Sequence, residues 1–285
     1  MSNISASQVK ELREKTGLGL MDCKKALEEA NGDLDLAVEE LRKTSGLKAS
    51  KKSSRSAADG LIGIKSFDGK SFMVEINCET DFVARDDSFN LFMQEVLEIV
   101  STNGDKSLEE LLKSGIEEKR EKLVQKLGEN IVVRRATASV DNSDSSGVYL
   151  HSNNKIGTII SLKGTEEVAK DIAMHAAATD PMAISPSDIP EDVIEKEREI
   201  YKAQSEESGK PADIVEKIIE GKIRKFLSEV SLTEQDFVKD PGLRINDILK
   251  DNDASIIGFT RFEVGEGIEV EKVDFASEVM SQIEG

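Results

Sequence analysis

The hydrophobic positions of residues 60–180 follow the same order twice, first with the two-residue period of a strand and then with the spacing of a helix. In the first copy, two alternating segments flank Asp68 and Gly69, a pair typical of a hairpin turn. A helix with an apolar face then begins at Ser88, and a third strand is predicted at 130–135. The repeated pattern predicts an α+β fold with a duplicated core of small antiparallel sheets and helices.

The second copy uses the same elements but is interrupted by an insertion. Its strands are predicted at 147–151 and 157–162, and its helix begins at Thr165. A strand at 256–264 is expected to complete this second sheet. Between the helix and that strand, residues 181–230 contain a proline-rich break and two thinly apolar helices with a short connection. This pattern predicts an inserted antiparallel helical hairpin.

Residues 1–45 are predicted to form a three-helix N-terminal domain, because their apolar residues recur at helical spacing in three short runs. Ser5 and Gln8 have the spacing of a capping box at its start. The turn at 16–21 is apolar and rich in glycine, so it either caps the small core or offers a docking surface. A linker rich in serine and lysine is predicted at 46–59.

These patterns divide the rest of the chain into further predicted domains. They are a first core subdomain at 60–140, a second core subdomain at 141–180 and 231–265, the helical hairpin at 181–230, and a C-terminal module at 266–285. Within the last of these, residues 275–283 are predicted to form a short helix that docks elsewhere.

Charge and composition narrow the class of protein. The net charge of −18 argues against binding to the phosphate backbone of nucleic acids or to an anionic membrane surface. The thiols of Cys23 and Cys78 lack any CxxC pattern and are expected to be reduced. The N-terminus has no signal or transit pattern, and no stretch approaches ~20 apolar residues. We therefore expect a cytoplasmic protein that binds neither nucleic acid nor membrane.

Side chains that could perform catalysis are scarce. His151 and His175 are the only two histidines and are too scattered for a metal site or proton relay, and His175 is predicted to be a core residue. Asp81, Asp86 and Asp87 have the chemistry to hold Mg²⁺. Two of them, however, are ordinary helix-start acids, and no phosphate-binding glycine loop accompanies them. We expect no catalytic residue, metal, cofactor or bound nucleotide, and a protein that acts by binding.

The first strand-to-helix junction, at residues 80–83, is the most informative stretch of the sequence. Phe82 either folds back into the local core, as phenylalanine usually does, or is offered with Asp81 to a partner. The equivalent junction of the second copy is about seven residues shorter. Because the same plan is completed there without the extra residues, the comparison favours a functional insertion over a packing role.

Residues 77–85 read NCETDFVAR and resemble the signature of the elongation factor Ts family, the guanine-nucleotide exchange factors of elongation factor Tu in bacterial translation. Residues 12–33 resemble the first signature of that family, with Leu20 where the family more often has Met. Residues 261–269 resemble its C-terminal run. The resemblance covers nearly the full length, and the N-terminal helices look like a ubiquitin-associated type of fold.

The resemblance implies a protein that binds the GDP-bound form of elongation factor Tu and promotes GDP release, which allows GTP to load. By analogy, Phe82 would insert between helices of the partner near its Mg²⁺, while Asp81 would disturb the ligands of that ion. The residues that the resemblance assigns to partner binding are Thr80, Asp81, Phe82 and Val83, followed by Arg13, Leu20, Met21 and His151.

A competing interpretation makes the three-helix bundle the recognition module of an adaptor for polypeptides or ubiquitin-like proteins. It accounts for residues 1–45 but leaves residues 80–83 without a function. The narrow apolar stripe on each helix of the predicted hairpin suits either a projecting coiled-coil pair or one that finds a partner. Self-association through the hairpin is therefore an expectation.

Overall fold

The computed structural model describes residues 4–104, 106–206 and 211–269 of the chain. It is a mixture of helices and antiparallel strands, which confirms the α+β prediction. The helices are α1 (Ala6–Thr16), α2 (Leu20–Glu29), α3 (Leu34–Lys52), α4 (Asp81–Ala84), α5 (Asp87–Thr102), α6 (Leu108–Leu111), α7 (Glu117–Leu127), α8 (Glu166–Thr179), α9 (Glu191–Glu206), α10 (Ala212–Val230) and α11 (Ile245–Asp251). The strands are β1 (Asp59–Phe67), β2 (Lys70–Cys78), β3 (Val132–Ala138), β4 (Ser145–Leu150), β5 (Ile156–Lys163), β6 (Asp236–Phe237), β7 (Asp240–Arg244) and β8 (Ser255–Glu263).

The chain divides into two compact units. The first contains the residues up to Leu61, Val74–Ala136 and the segment from Glu263, and the second contains Ile62–Met73 and Thr137–Phe262. The boundary between the two units passes through β1 and β2, so it does not follow the predicted domain boundaries. The predicted division into domains stays a prediction. The helix predicted within the C-terminal module lies outside the described residues.

In the first unit, α1, α2 and α3 pack around a small apolar core. A capping box fixes the start of α1, where Ser5 and Gln8 each bond to the other's main chain, as predicted. Gly17 ends the helix in the left-handed conformation (φ 69°) and donates its main-chain N–H to the carbonyl of Arg13. The buried residues of this core are Val9, Leu12, Leu18, Cys23, Ala26, Leu27, Ala30, Ala37 and Leu41.

The prediction of a linker at 46–59 is wrong for its first half, because α3 continues to Lys52. Leu41, Ser45 and Ala49 are buried and follow one another at intervals of four, so they lie on one face of the helix. The helix also packs against α7. Small buried residues such as serine and alanine give a weak hydrophobic pattern, and the sequence therefore indicated a linker where the structure has a packed helix.

The first sheet has the strand order β1-β2-β3. Asp68 (φ 49°) and Gly69 (φ 74°) both adopt the left-handed conformation between β1 and β2, as a tight type I′ hairpin turn requires. After α4, the amphipathic helix α5 buries Phe89 and Phe92. Gly115 has a φ of 107° and produces the predicted break in the helical segment between α6 and α7.

The second sheet has the strand order β4-β5-β8, so the late strand predicted at 256–264 completes it. Gly147 pairs with Ile160 across β4 and β5. A Cβ at Gly147 would lie 2.0 Å from the main chain of Ala169 on α8, so only glycine allows this close packing. The short hairpin of β6 and β7 was not predicted, because the residues of β7 are all exposed and lack an alternating pattern.

The helices α9 and α10 pack against each other in the second unit, between α8 and β8 in the chain. The chain leaves and returns at one place, since Met182 donates its N–H to the carbonyl of Val230 (2.8 Å). Leu232 likewise donates to the carbonyl of Ala183 (2.9 Å). These bonds join the two ends of the helical segment, as an inserted hairpin requires.

His175 on α8 is fully buried, as predicted, and is part of a polar network in the second unit. Its Nδ1 accepts a hydrogen bond from the N–H of Val238 (3.3 Å), so the proton of the neutral ring lies on Nε2 and is donated to Gln235 Oε1 (3.0 Å). The hydroxyl of Thr179 donates to the same oxygen (2.9 Å). Burial lowers the pKa of His175, and the bond to Gln235 only partly opposes this.

We predict that protonation of His175 opposes folding. Its pKa is lowered in the folded state, so the unfolded chain binds the proton first as pH falls below about 6.5. The free energy of unfolding should therefore fall with pH below that value, by up to about 1.4 kcal/mol per pH unit. Urea unfolding between about pH 5.5 and 7.5 measures this slope. His175→Gln should flatten it, and His151→Gln is the control; an unchanged slope in His175→Gln would contradict the prediction.

Candidate functional site

The strand-to-helix junction at residues 80–83 forms a one-turn helix capped by Thr80. The strand β2 ends at Cys78, and Thr80 adopts an extended conformation (φ −131°, ψ 157°) in which its side chain caps α4 by accepting from the N–H of Val83 (3.4 Å). Asp86 then caps α5 by accepting from the N–H of Ser88 (2.8 Å). Two successive N-caps, Thr80 and Asp86, therefore divide the segment into α4 and the start of α5.

The side chains of this turn face opposite ways. Phe82 is 81% exposed, whereas Val83 is 9% exposed and Ala84 is buried. The packing interpretation of Phe82 is therefore wrong, because its ring lies outside the core. Val83 was grouped with it as a partner-binding residue, but its buried side chain anchors the turn and offers little surface of its own.

Asp81 lies beside Phe82 and forms an ion pair with Arg85 one turn later (2.8 Å). The Arg85 side chain is mostly exposed and that of Asp81 is half-exposed. Ion pairs in such positions contribute little stability, because water and salt screen them. The carboxylate of Asp81 is thus free to exchange its partner when another surface approaches.

The start of the turn is held by Glu129, which follows the end of α7. Its carboxylate accepts hydrogen bonds from the N–H groups of Glu79 and Thr80 (both 3.0 Å) and from the hydroxyl of Thr80 (2.6 Å). In return, the carboxylate of Glu79 accepts from the N–H of Asn130 (2.6 Å). Sequence reasoning missed Glu129, because an isolated acid about 50 positions away from the turn carries no local signal.

Asp86, which follows the turn, has a structural role as the N-cap of α5. Asp86 also accepts a hydrogen bond from the hydroxyl of Ser88, and this bond is the main reason why the pKa of Asp86 is lowered. Among the described residues, no group of three or more histidines, cysteines and acids is arranged to hold a metal ion.

Of the two alternatives for the glycine-rich turn between α1 and α2, capping of the core is confirmed at Leu18, and docking through Leu20 and Met21 stays a prediction. Leu18 is buried and caps the core of the bundle. Leu20 and Met21 begin α2 and are 53% and 76% exposed, so they present an apolar surface. The side chain of Arg13 is also exposed. These three residues and residues 80–83 belong to the same compact unit.

His151 belongs to the second unit, whereas the other predicted residues belong to the first. It is exposed after the end of β4, where its Nδ1 lies 3.2 Å from the hydroxyl of Tyr149. Its main chain is fixed by the turn, because its N–H donates to the carbonyl of Ile156 (2.9 Å). Contact of His151 with a partner stays a prediction.

Comparison with known proteins identifies the family. A family model described as Elongation factor TS matches residues 79–266, which is more than half of the chain. Proteins named Elongation factor Ts from Hahella chejuensis and from Francisella tularensis subsp. novicida are 54% and 50% identical to it, each over 100% of both chains. That of Marinobacter nauticus is 52% identical over 98% of this chain and 97% of its own. The chain belongs to the elongation factor Ts family.

Membership in the elongation factor Ts family confirms the resemblance of residues 77–85 and makes the chain a translation elongation factor. The family match begins at Glu79 and so includes the whole of α4. The related elongation factor Ts chains also align with the N-terminal bundle, since they cover the full length. Within the part of the chain that the structure describes, no helix is both long and apolar enough to cross a membrane.

We predict that the exposed phenylalanine of α4, Phe82, contributes little to stability. Phe82→Ala should change the free energy of unfolding by less than about 0.5 kcal/mol, because the ring is 81% exposed. The matched control is Phe89→Ala on α5, whose ring is fully buried and whose truncation should be destabilising by about 3–5 kcal/mol. Urea unfolding of both variants measures the difference. Equal losses would show that Phe82 packs in solution.

Proposed function

We propose that the chain is the guanine-nucleotide exchange factor of elongation factor Tu. It binds the GDP-bound form of that partner and promotes GDP release, so that GTP can load during translation elongation. Family membership supports this role. The single structural observation that carries it is the exposed ring of Phe82 on a turn whose start is fixed by hydrogen bonds.

In the proposed mechanism, the chain disturbs the groups of elongation factor Tu that hold the nucleotide. In GTP-binding switches, affinity for the nucleotide depends on Mg²⁺ and on the main-chain amides and lysine that surround the phosphates. Phe82 inserts between helices of the partner near the ion, and Asp81 disturbs the groups that order it. Because the Asp81–Arg85 pair is exposed, its carboxylate can form new contacts at little free-energy cost.

Exchange of this kind requires no catalytic group in the chain itself. The chain needs only to bind one conformation of the partner more tightly than the other, since a ligand shifts a conformational equilibrium by its difference in affinity. Linkage makes the effect reciprocal, so bound nucleotide weakens the factor's own affinity and GTP entry releases it. The chain is thus a binding protein without an enzymatic reaction of its own.

The remaining predicted residues supply further contact with the partner. Leu20 and Met21 place apolar surface on the N-terminal bundle, and Arg13 adds a cation to the same unit. Exposed apolar side chains that together form a contiguous patch are typical of protein-binding surfaces. His151 lies in the second unit of the chain and would contact another domain of elongation factor Tu.

We predict that Asp81→Ala with Phe82→Ala greatly reduces exchange. The assay is the release of a fluorescent GDP from purified elongation factor Tu after addition of the chain. The wild type should accelerate release. The double variant should remain folded but accelerate release at least about tenfold less than the wild type, since binding free energy is concentrated in a few residues of an interface. Leu91→Ala is the control, because this side chain of α5 is also exposed (56%) but lies outside the turn.

Three outcomes of the same assay separate the alternatives. No acceleration by the wild type would exclude the exchange function and favour the adaptor interpretation of the N-terminal bundle. Full acceleration by the double variant would retain the function but move its site to Leu20, Met21 or the second unit. Equal loss in Leu91→Ala would show that the effect is not specific to the turn.

We also propose that α9 and α10 mediate self-association. Ile200 on α9 and Ile214 on α10 leave about two-fifths of their surface exposed on the two helices. We expect the wild type to show a concentration-dependent dimer in sedimentation equilibrium, and Ile200→Glu with Ile214→Glu to remain a monomer, because a buried unpaired charge opposes association. A monomeric wild type at all concentrations would contradict this.

A further inference from the structure

One carboxylate in the first unit holds the exact start of the turn that carries Asp81 and Phe82. Oε2 of Glu129 accepts both main-chain N–H groups of residues 79 and 80, and Oε1 accepts the hydroxyl of Thr80. These are charge-assisted bonds of 2.6–3.0 Å, the stronger class of hydrogen bond in proteins. Two of the three end on Thr80, the N-cap of α4.

The loop that supplies Glu129 is itself anchored. Gly128 ends α7 in the left-handed conformation (φ 82°), which sets the direction of the chain into Glu129. The next residue, Asn130, is buried and donates its side-chain N–H to the carbonyl of Arg55 (2.8 Å). Its main-chain N–H donates to the carboxylate of Glu79 (2.6 Å). The two segments therefore exchange hydrogen bonds in both directions, and neither can rotate alone.

The bonds of Glu129 add to the other contacts that hold α4. Val83 and Ala84 are buried, and the side-chain N–H of Asn90 donates to the carbonyl of Ala84 (3.4 Å). A single helical turn is unstable in isolation. The ring of Phe82 is exposed and makes no core contact that would orient it, so its direction follows from the main chain of Thr80 and from the anchor at Val83. Loss of the bonds at Thr80 would let the turn sample other directions, and ordering it again on binding would reduce the free energy available for exchange.

We propose that Glu129 is a positioning residue for nucleotide exchange, which acts by fixing the direction of Phe82. The inference rests on the proposed exchange function and adds to it a residue that does not touch the partner's nucleotide site. Glu129 acts through Thr80, so its removal should affect exchange only while the turn still presents Asp81 and Phe82.

The test uses the full chain and the same fluorescent GDP release assay, run over a range of chain concentrations. Glu129→Ala should lower the maximal release rate about tenfold, as expected when charge-assisted hydrogen bonds are lost. The half-saturating concentration should change less than about threefold, because the rest of the interface is intact. Glu129→Gln retains an oxygen that can accept from both N–H groups, so it should recover most of the rate.

Two controls separate positioning from a general loss of structure. Glu109→Ala removes an exposed carboxylate that pairs with Lys113 and should behave as wild type. In a mutant cycle, Glu129→Ala should cause no further loss of rate in a background that carries both Asp81→Ala and Phe82→Ala, since these changes remove the same interaction. A structural defect would instead lower the rate in both backgrounds.

The outcomes also separate this inference from the proposed function. If the wild type does not accelerate GDP release, the exchange function itself fails. If the wild type does so and Glu129→Ala matches it in both maximal rate and half-saturation, the exchange function stands and the positioning role is wrong. If the loss from Glu129→Ala adds to the loss from the Asp81→Ala, Phe82→Ala pair, the positioning role is likewise wrong.

Discussion

A single turn of helix has little stability of its own in water, because nucleation fixes several residues for one hydrogen bond. The turn α4 is of this kind, and it carries the ring of Phe82 outside the core. What holds it is a set of bonds made at Glu79 and Thr80, three of them to the carboxylate of Glu129. The exposed phenylalanine is thus presented by a frame of β2, the end of α7 and the first turn of α5 rather than by its own packing.

Such a frame suits a protein that acts by binding alone. Ordering a flexible segment during association reduces affinity, and a turn that is already ordered avoids this loss. In the proposed exchange mechanism, the free energy gained when Phe82 and Asp81 contact elongation factor Tu would then favour the conformation that holds nucleotide weakly. The exposed ion pair of Asp81 with Arg85 fits the same requirement, since breaking it requires little free energy.

Local pattern accounts for much of the fold but only part of the site. The hairpin at Asp68 and Gly69 and the capping box of α1 follow from rules that act over a few residues. The exposure of Phe82 was indicated by the shorter junction in the second copy. The carboxylate of Glu129 was not foreseen, because its bonds join positions about 50 residues apart without any sequence spacing. Small buried residues likewise concealed the continuation of α3 to Lys52.

The most direct test of binding-driven exchange is a comparison of two affinities. The dissociation constant of the chain should be measured with nucleotide-free and with GDP-bound elongation factor Tu, for the wild type and for Asp81→Ala with Phe82→Ala. We expect the wild type to bind the nucleotide-free form at least about tenfold more tightly, with a smaller ratio in the double variant. Equal affinity of the wild type for both forms would contradict the mechanism, because a factor that binds both states equally cannot shift their equilibrium.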